Sequence, residues 1–537
     1  MRWLKAFFAL ALVVNSGLAL AVNHYVRAGA TGANTGNDWT DAFTSVPTTM
    51  QRGDTYYIAD GSYGSYDFGQ AVSGTTLITV KKAIEADHGT ATGWNSTFGD
   101  GTADFTHWNF GSSYWLVDGQ VGGGPGSWDT GHGFTIFSST VILITSGTGT
   151  SNVTIRHTKA SSDRGTTFIA GFKNVGGFTD YTFSYCAFMD IFGPIFHIGS
   201  SSNSTIEYSY LYRNLSTPAF HSEGISSIGT NSGWNIRYSL WDSIDGTAVI
   251  AGVNTGTSDA WNIYGNIFSR SVTPLYYYEE FGAGTNHQSL TNSNIFNNTV
   301  LNNGPNSQGG FTVNVGSGNQ AYNNLFYNND ANQYQWTNLP HDYTYASLNI
   351  RSADGPFDKD AEILTGEANG QDGGSANPFT NYNANPLLAN FTASTNTGFD
   401  TTSLLSGNTV DMLGRTRGTS SQWTRGAIQF SAGGSPPVVN GLTCSPTSVQ
   451  PPSGTTSCTA TTSSGTPTTW AWSVSSCAAA SCSTAGTGNP ATFACTNGGA
   501  CTLCALAHSA DGDSNNFCTS AGYLSAKYRK AGGFTLH

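Results

Sequence analysis

The segment Ile263-Tyr264-Gly265-Asn266-Ile267-Phe268 decides the fold, because its pattern of residue types returns along the chain. An apolar residue is followed by two variable positions, a small polar residue, one variable position and a large apolar residue. The pattern recurs at steps of about 27 residues, which is typical of one coil of a solenoid whose coils cover each other's apolar faces. The small polar positions are Thr158, Cys186, Ser209, Ser239, Asn266, Asn298 and Asn324.

Asparagine occupies the small polar position in three successive coils, at Asn266, Asn298 and Asn324. An Asn side chain both donates and accepts hydrogen bonds, so we expect these residues to stack and to bond the backbone groups of the turn. Cys186 at the same position is expected to be a buried structural thiol.

Motifs at the two ends of the repeat resemble those of right-handed parallel β-helix proteins of the pectate-lyase-like type. Residues 53–63 are similar to the opening coil of many secreted members, after a short capping helix at Ala42-Phe43. Residues 411–415 and 426–428 are similar to their closing segment. The resemblance implies an all-β, right-handed parallel β-helix of about ten coils. This fold hosts lyases, hydrolases, esterases, adhesins and tailspikes, so it does not define an activity.

The chain is expected to divide into four parts. Residues 1–21 contain a positive start, an apolar stretch and an Ala-Leu-Ala cleavage motif, which predict a signal peptide and a secreted, extracellular protein. Residues 22–431 are the β-helix domain and residues 432–440 a Gly/Pro linker. Residues 441–537 are a small disulfide-rich β-sandwich, since eight of the nine cysteines lie there.

The order of cysteine and tryptophan in the C-terminal part resembles that of immunoglobulin-like and PKD-like modules. Cys458 lies on one predicted strand, Trp470 and Trp472 on the next, and Cys504 on a late one. The resemblance implies a Cys458–Cys504 disulfide. The spacing of Cys501 and Cys504 leaves a zinc site as the lesser alternative.

The composition excludes several classes of partner. Lys and Arg number 21 against 33 Asp and Glu, giving a formal net charge of −12. Such a chain lacks a basic surface for nucleic acid or for an anionic membrane. No segment after the signal peptide approaches the ~20 apolar residues of a transmembrane helix. The partner expected of a secreted β-helix is an extracellular polysaccharide.

The cleft is expected on the second strand of each coil and the loop that follows it. His221 and Glu223 are two residues apart and therefore face the same side of a strand. His197 lies one coil earlier and Glu279 two coils later, at about 4.8 Å per coil. The second strands are predicted at residues 195–198, 219–223, 248–251, 275–280 and 311–314.

The residues near this cluster suit the handling of a sugar. One of Tyr276, Tyr277 and Tyr278 is expected to face outward and stack on a sugar ring, and at least one to face inward. Arg213 and Arg270 suit a uronate carboxylate, or are ordinary surface cations.

The roles of the other charged residues are predicted from their positions in the repeat and in turns. Arg237 is expected to form a lateral salt bridge with Glu207 in the preceding coil. Asp242 is assigned to turn chemistry. Glu223, Glu280 and Asp245 are the candidate ligands of a calcium ion, which would offset repulsion between an acidic protein and an acidic glycan.

The predicted function is a secreted polysaccharide-active enzyme. It would cleave its glycan by β-elimination of a uronate polymer or by carboxylate-catalysed glycoside hydrolysis, with His221, Glu223, Glu279 and His197 as the catalytic group. The alternative is a noncatalytic extracellular surface, adhesive or structural protein. The His/Glu cluster favours the enzyme, and the lack of a Lys or Arg clearly placed beside it favours the alternative.

Overall fold

The structure is a computed structural model, and it describes most of the chain. The predicted signal peptide lies outside the described residues, except for Ala21. The described residues are 21–165, 167–215, 222–246, 248–253, 255–277, 288–301, 311–313, 315–327, 330–331, 341–346, 349–350, 371–372, 378–383, 385–393, 408–417, 424–429, 438–445, 453–464, 469–478, 481–485, 489–496, 499–509, 512–513 and 517–523.

The main body is a parallel β-solenoid of about ten turns, which confirms the predicted fold class. Each coil contributes strands to three parallel sheets, which we call sheets A, B and C in the order in which a coil meets them. The register is regular: Ile206 pairs with Phe183 in the coil before it and with Ile236 in the coil after it.

Sheet A holds the repeat strands that lead to the small polar position. Its strands are Asn23–Val26, Thr55–Ile58, Ile78–Lys82, Trp115–Asp118, Thr150–Arg156, Phe178–Ser184, Thr205–Glu207, Asn235–Arg237, Asn262–Tyr264, Asn294–Phe296 and the first half of Gln320–Tyr327.

Sheet B follows that position. Its strands are Gly61–Asp67, Ala103–Phe110, Phe134–Phe137, Thr158–Ser161, Ala187–Ile191, Tyr210–Asn214, Leu240–Asp242, Ile267–Ser269, Thr299–Leu301, the second half of Gln320–Tyr327, His341–Ala346 and Gln371–Asp372.

Sheet C holds the third strand of each coil, which is the strand predicted above to form the cleft. Its strands are Ile144–Ser146, Phe172–Asn174, Phe196–Gly199, Ile225–Ile228, Ala248–Gly252, Thr273–Tyr277 and Phe311–Val313. Four short strands lie between the strands of sheets C and A along the chain, and they pair with one another in successive coils. They are Ser201–Ser202, Asn231–Ser232, Gly256–Asp259 and Gln288–Thr291.

The described helical residues are two short 3-10 turns, Ser96–Phe98 and Pro386–Leu388. The capping helix expected at Ala42-Phe43 is wrong, since Phe43 forms a parallel bridge with Val26 instead. The described part of the chain contains no helix long and apolar enough to cross a membrane.

Side chains at the small polar position form a ladder inside the solenoid, as predicted. The backbone N–H of Ser239 donates to Asn266 Oδ1 at 3.1 Å, and that of Asn266 donates to Asn298 Oδ1 at 3.0 Å. The N–H of Asn298 donates in turn to Asn324 Oδ1 at 3.0 Å. The turn just before this position has a positive φ, for example 48° at Tyr208 and 52° at Asn297, so its backbone groups need such partners. Cys186 is a buried free thiol, and burial raises its pKa to about 12.

A second apolar cluster lies outside the solenoid, on the outer face of sheet B. The outward-facing side chains of Leu240 and Ile267 belong to it. Trp128, from the loop between sheets A and B, covers one part of this face. Phe379, Phe391 and, from the expected closing segment, Met412, Ala427 and Ile428 cover another. We call this group of residues the outer cluster.

The C-terminal part contains two antiparallel sheets. One contains Val438–Ser445, Ser453–Ser464, Ala491–Thr496 and Ser481–Ala485, and the other contains Thr469–Ala478, Gly499–Ser509, Gly512–Asp513 and Phe517–Tyr523. Leu503 of the second sheet packs with Phe493 of the first, so the sheets share a core. The Cys458–Cys504 pairing is wrong, because Cys458 lies directly opposite Cys444 on the neighbouring strand and is bonded to it. Cys504 is also disulfide-bonded.

Candidate functional site

The strand predicted at residues 219–223 lies further along the chain, at Ile225–Ile228. Ile225 therefore occupies the core position opposite Phe196, and His197 pairs with Ser226. The expected pairing of His197 with His221 is wrong for this reason. His221, Tyr278, Glu279 and Glu280 lie outside the described residues, so their roles stay predictions.

The outer face of sheet C carries a row of side chains that point away from the core. They follow one register, and we call them the outer row: Lys173, His197, Ser226, Ala251 and Tyr276. Lys173 and His197 are half-buried, whereas the other three are buried. The row is therefore open to solvent at its Lys173 end.

Glu223 lies next to this row and is buried, with 1% of its surface exposed. Its carbonyl accepts from the N–H of Ile195 at 3.1 Å, which holds the residue against the coil before it. Burial raises the pKa of its carboxyl group to about 7, although its own N–H and the Ser226 hydroxyl stabilise the charged form. Among the described residues, nothing donates a hydrogen bond to Oε1 of Glu223. The carboxyl group thus has one buried oxygen without a donor, and burial brings its pKa close to neutral.

Asn214 fixes the backbone at this point. Its buried amide Nδ2 donates to the carbonyl of Ser222 at 2.7 Å and to that of Glu223 at 3.1 Å. Asn214 Oδ1 accepts from the N–H of Asp245 at 2.7 Å. One side chain at the end of a sheet B strand therefore ties the turn before Ile225 to the next coil, which holds Glu223 in place.

His197 is neutral at neutral pH. Burial is the larger cause and the nearby Lys173 ammonium the smaller one, and together they lower its imidazole pKa to about 4. Within the described residues, its Nδ1 has no hydrogen-bond partner. The outer row therefore presents an ammonium group next to an uncharged imidazole.

Lys173 is the functional candidate that sequence reasoning missed. The sequence alone placed no Lys or Arg clearly beside the His/Glu cluster, and this favoured a noncatalytic protein. Lys173 is a cation next to His197 of that cluster. Phe172-Lys173-Asn174 precedes Phe196-His197-Ile198 by one coil and has the same apolar–polar order, so extending the strand alignment one coil earlier finds it.

The two candidate arginines lie elsewhere, on sheet B. Arg213 forms an ion pair with Asp190, and Arg270 forms one with Asp242. Asp242 is fully buried and also accepts from the Tyr210 hydroxyl at 3.2 Å, so its role is in this ion pair rather than in a turn. The structure thus gives both arginines partners away from the outer row.

The salt bridge predicted between Arg237 and Glu207 is confirmed at 2.6 Å. The tyrosine segment alternates as expected. Tyr277 points inward and its hydroxyl donates to Ser258 at 2.9 Å, whereas Tyr276 belongs to the outer row but is only 6% exposed.

The calcium site stays a prediction. Of its three expected ligands, Glu223 is buried beside the outer row and Asp245 is exposed in a turn, where its Oδ1 accepts from the N–H of Gly246. Within the described residues, no three His, Cys, Asp or Glu side chains form a group that could hold a metal ion.

Comparison with known proteins gives fold similarity only. No family profile matches the sequence, and no curated protein matches it. The chain is similar to a mannuronic acid specific polysaccharide family 6 lyase from human gut microbiota, with 13% identity, coverage of 59% of this chain and 89% of that chain, and a TM-score of 0.25. It is also similar to the Dettilon tailspike protein, with 11% identity, coverage of 83% and 87%, and a TM-score of 0.27. These values carry no argument about activity.

Proposed function

We propose that the protein is a secreted enzyme that cleaves an acidic extracellular polysaccharide by β-elimination at a uronate residue. The observation that supports this most is that Lys173 and His197 lie next to each other on the outer face of sheet C, with Glu223 buried next to Ser226 of the same row. A carboxyl group with a pKa of about 7 is a suitable proton acceptor at neutral pH. An ammonium group on the open side of the same row suits a carboxylate substrate.

The roles follow from the charges. Lys173 pairs with the uronate carboxylate, which makes the neighbouring C5 proton more acidic. The Glu223 carboxylate takes that proton, the C4–O bond breaks, a C4–C5 double bond forms, and the leaving oxygen takes a proton from the solvent. His197, neutral at this pH, orients the sugar by hydrogen bonding. Elimination is favoured over hydrolysis because the described part of this face combines one carboxyl group with a cation.

The test is a panel of uronate polymers, namely alginate, polygalacturonate and a glucuronate polymer. Unsaturated sugar and new reducing ends are both measured, since elimination yields both and hydrolysis yields only reducing ends. Glu223→Gln should abolish turnover, because the amide cannot accept the proton. Glu85→Gln is the matched control, since Glu85 is an exposed carboxylate in the first coils.

The rate should rise with pH through about 7, as Glu223 becomes ionised. Reducing ends without unsaturated sugar would favour hydrolysis. Full activity in Glu223→Gln would exclude this site, and no product from any polymer would favour the noncatalytic alternative.

A further inference from the structure

A nearly buried carboxylate lies at the N-terminal end of the solenoid, away from the outer row. Asp54 belongs to the opening coil, and only 8% of its surface is exposed. Its Oδ2 lies 2.9 Å from Nε2 of His24. Its Oδ1 accepts the backbone N–H of Val22, also at 2.9 Å. Among the described residues, no Lys or Arg forms an ion pair with this carboxylate.

The charge of Asp54 has no permanent counter-charge while Val22 is joined to Ala21. A carboxylate that has lost most of its water is stabilised by an opposite charge beside it. The amide N–H of Val22 is neutral, and the His24 imidazole is a cation only when it is protonated. The group therefore lacks one positive charge next to Oδ1.

The peptide bond before Val22 is the one that the sequence predicts to be cleaved. Ala19-Leu20-Ala21 places small residues one and three positions before this bond, which is typical of signal peptide cleavage. Gly17-Leu18-Ala19 has the same pattern, but cleavage there leaves the new amine two residues away from the nitrogen that bonds Asp54. Val22 is 49% exposed, so an amine at this position also has access to water.

We infer that Asp54 is the binding site for the new N-terminus of the processed chain. In the cleavage, the oxygen of a water molecule goes to the carbonyl carbon of Ala21 and both of its protons go to the nitrogen of Val22. The products are a carboxylate on the released peptide and an ammonium group on Val22. This ammonium group replaces the amide N–H that donates to Asp54 Oδ1, and the hydrogen bond becomes an ion pair.

The neighbours of Asp54 hold it in position for this ion pair. His24 bonds the other carboxylate oxygen and stacks on Tyr56, with ring centroids 4.6 Å apart. The carbonyl of Val22 accepts the N–H of Thr55 at 3.0 Å, so the chain end is bonded on both sides of one residue. Ends of chains fray unless they are bonded in this way. Processing would thus fasten the first strand, Asn23–Val26, to the coil that follows it.

The test compares the proton affinity of the α-amine in two forms of the chain. One form begins at Val22 and the other keeps Ala21 before it, and each is released from a fusion partner by a protease that leaves no added residue. The rate of acetylation of the α-amine is measured over a range of pH by mass spectrometry, with the peptide of the first four residues of each form as reference. Relative to these peptides, the amine of Val22 should bind its proton about tenfold more tightly than that of Ala21, because a carboxylate lies beside it. Equal affinities would overturn the inference.

Two variants of the form that begins at Val22 identify the carboxylate. Asp54→Asn should remove the tenfold gain, whereas Asp67→Asn, which removes an exposed carboxylate from the same coil, should keep it. Equal effects of the two variants would contradict the assignment to Asp54. The comparison of the two chain forms decides the question if Asp54→Asn does not fold.

The position of cleavage is tested separately, by expressing residues 1–537 in a bacterial host that exports the protein and sequencing its N-terminus. The first residue should be Val22, and a chain that begins at Leu20 would overturn the inference. The inference uses the predicted export of the chain but not the proposed activity. Turnover without the gain in proton affinity therefore rejects the N-terminal site alone, and the gain without turnover rejects the proposed function alone.

Discussion

Replacing Asn298 with alanine should strongly destabilise the solenoid. The Asn298 side chain accepts from the N–H and the Nδ2 of Asn266 at 3.0 and 3.1 Å. It donates to the carbonyl of Ile263 at 2.9 Å and to Asn324 Oδ1 at 3.0 Å. The change leaves the buried Asn266 N–H without its acceptor, at about 1–3 kcal/mol, and removes three further bonds of about 1 kcal/mol each. The expected loss of unfolding free energy is about 4–6 kcal/mol.

Asn262 provides a matched control, because it belongs to another asparagine ladder, on the half-buried outer face of sheet A. Its side chain bonds those of Asn235 at 3.1 Å and Asn294 at 2.9 Å. Water can replace these partners, so Asn262→Ala should cost less than about 1 kcal/mol. Asn298→Ser should fall between the two, since serine fills the same position at Ser209 and Ser239 and accepts the equivalent N–H.

Urea unfolding followed by circular dichroism measures these losses, with fluorescence as a second probe to check that one transition is observed. Equal losses for Asn298→Ala and Asn262→Ala would refute the reasoning, because they would show that position inside the solenoid does not matter. A loss below about 1 kcal/mol for Asn298→Ala would also refute it.

Three further predictions concern charged groups. The pKa of Glu223 rises on folding from 4.5 to about 7. The contribution of this residue to stability is therefore complete below pH 4.5, and about 3 kcal/mol of it is lost as the pH rises through 7. Glu223→Gln should flatten this part of the curve of unfolding free energy against pH, and an unchanged slope would contradict the prediction. Lys173→Met should raise the pKa of His197 above about 4, as measured by NMR titration of the imidazole, since the ammonium lowers it; an unchanged value would mean that burial alone sets it. Arg270→Met leaves the Asp242 carboxylate, 0% exposed, without its cation and should cost about 3 kcal/mol in thermal unfolding. Arg213→Met should cost less than about 1 kcal/mol because its partner Asp190 is 24% exposed, and a reversed order would show that burial does not govern these pairs.

The repeat made most of the solenoid predictable. The small polar column gave the register of sheets A and B, the asparagine ladder and the Glu207–Arg237 bridge. The same spacing also predicts the ion pair between Asp190 and Arg213. Each of these residues lies four residues after the small polar position, in successive coils.

Sheet C was harder to predict because its strands follow loops of unequal length. Residues 219–223 have their apolar residues side by side, and Ile225–Ile228 has them only at its two ends. Neither segment shows strict alternation, so the pattern alone does not choose between them. Tertiary contacts decide which segment forms the strand. The Asn214 amide bonds the carbonyls of Ser222 and Glu223, and Ile225 then lies opposite Phe196. Burial of Glu223 was missed for the same reason.

The internal ladder has a direction, and this bears on how the chain assembles. Each rung runs from a backbone N–H to a side chain of the following coil, as from Ser209 to Ser239 and from Asn298 to Asn324. Each coil is therefore completed only by the coil that is synthesised next. Until that coil is in place, one backbone N–H group at the small polar position lacks its acceptor. In the described structure, Gly426 donates its N–H to the Asn323 carbonyl and Ala427 donates its N–H to Thr299 Oγ1, so the closing segment bonds coils that were synthesised before it.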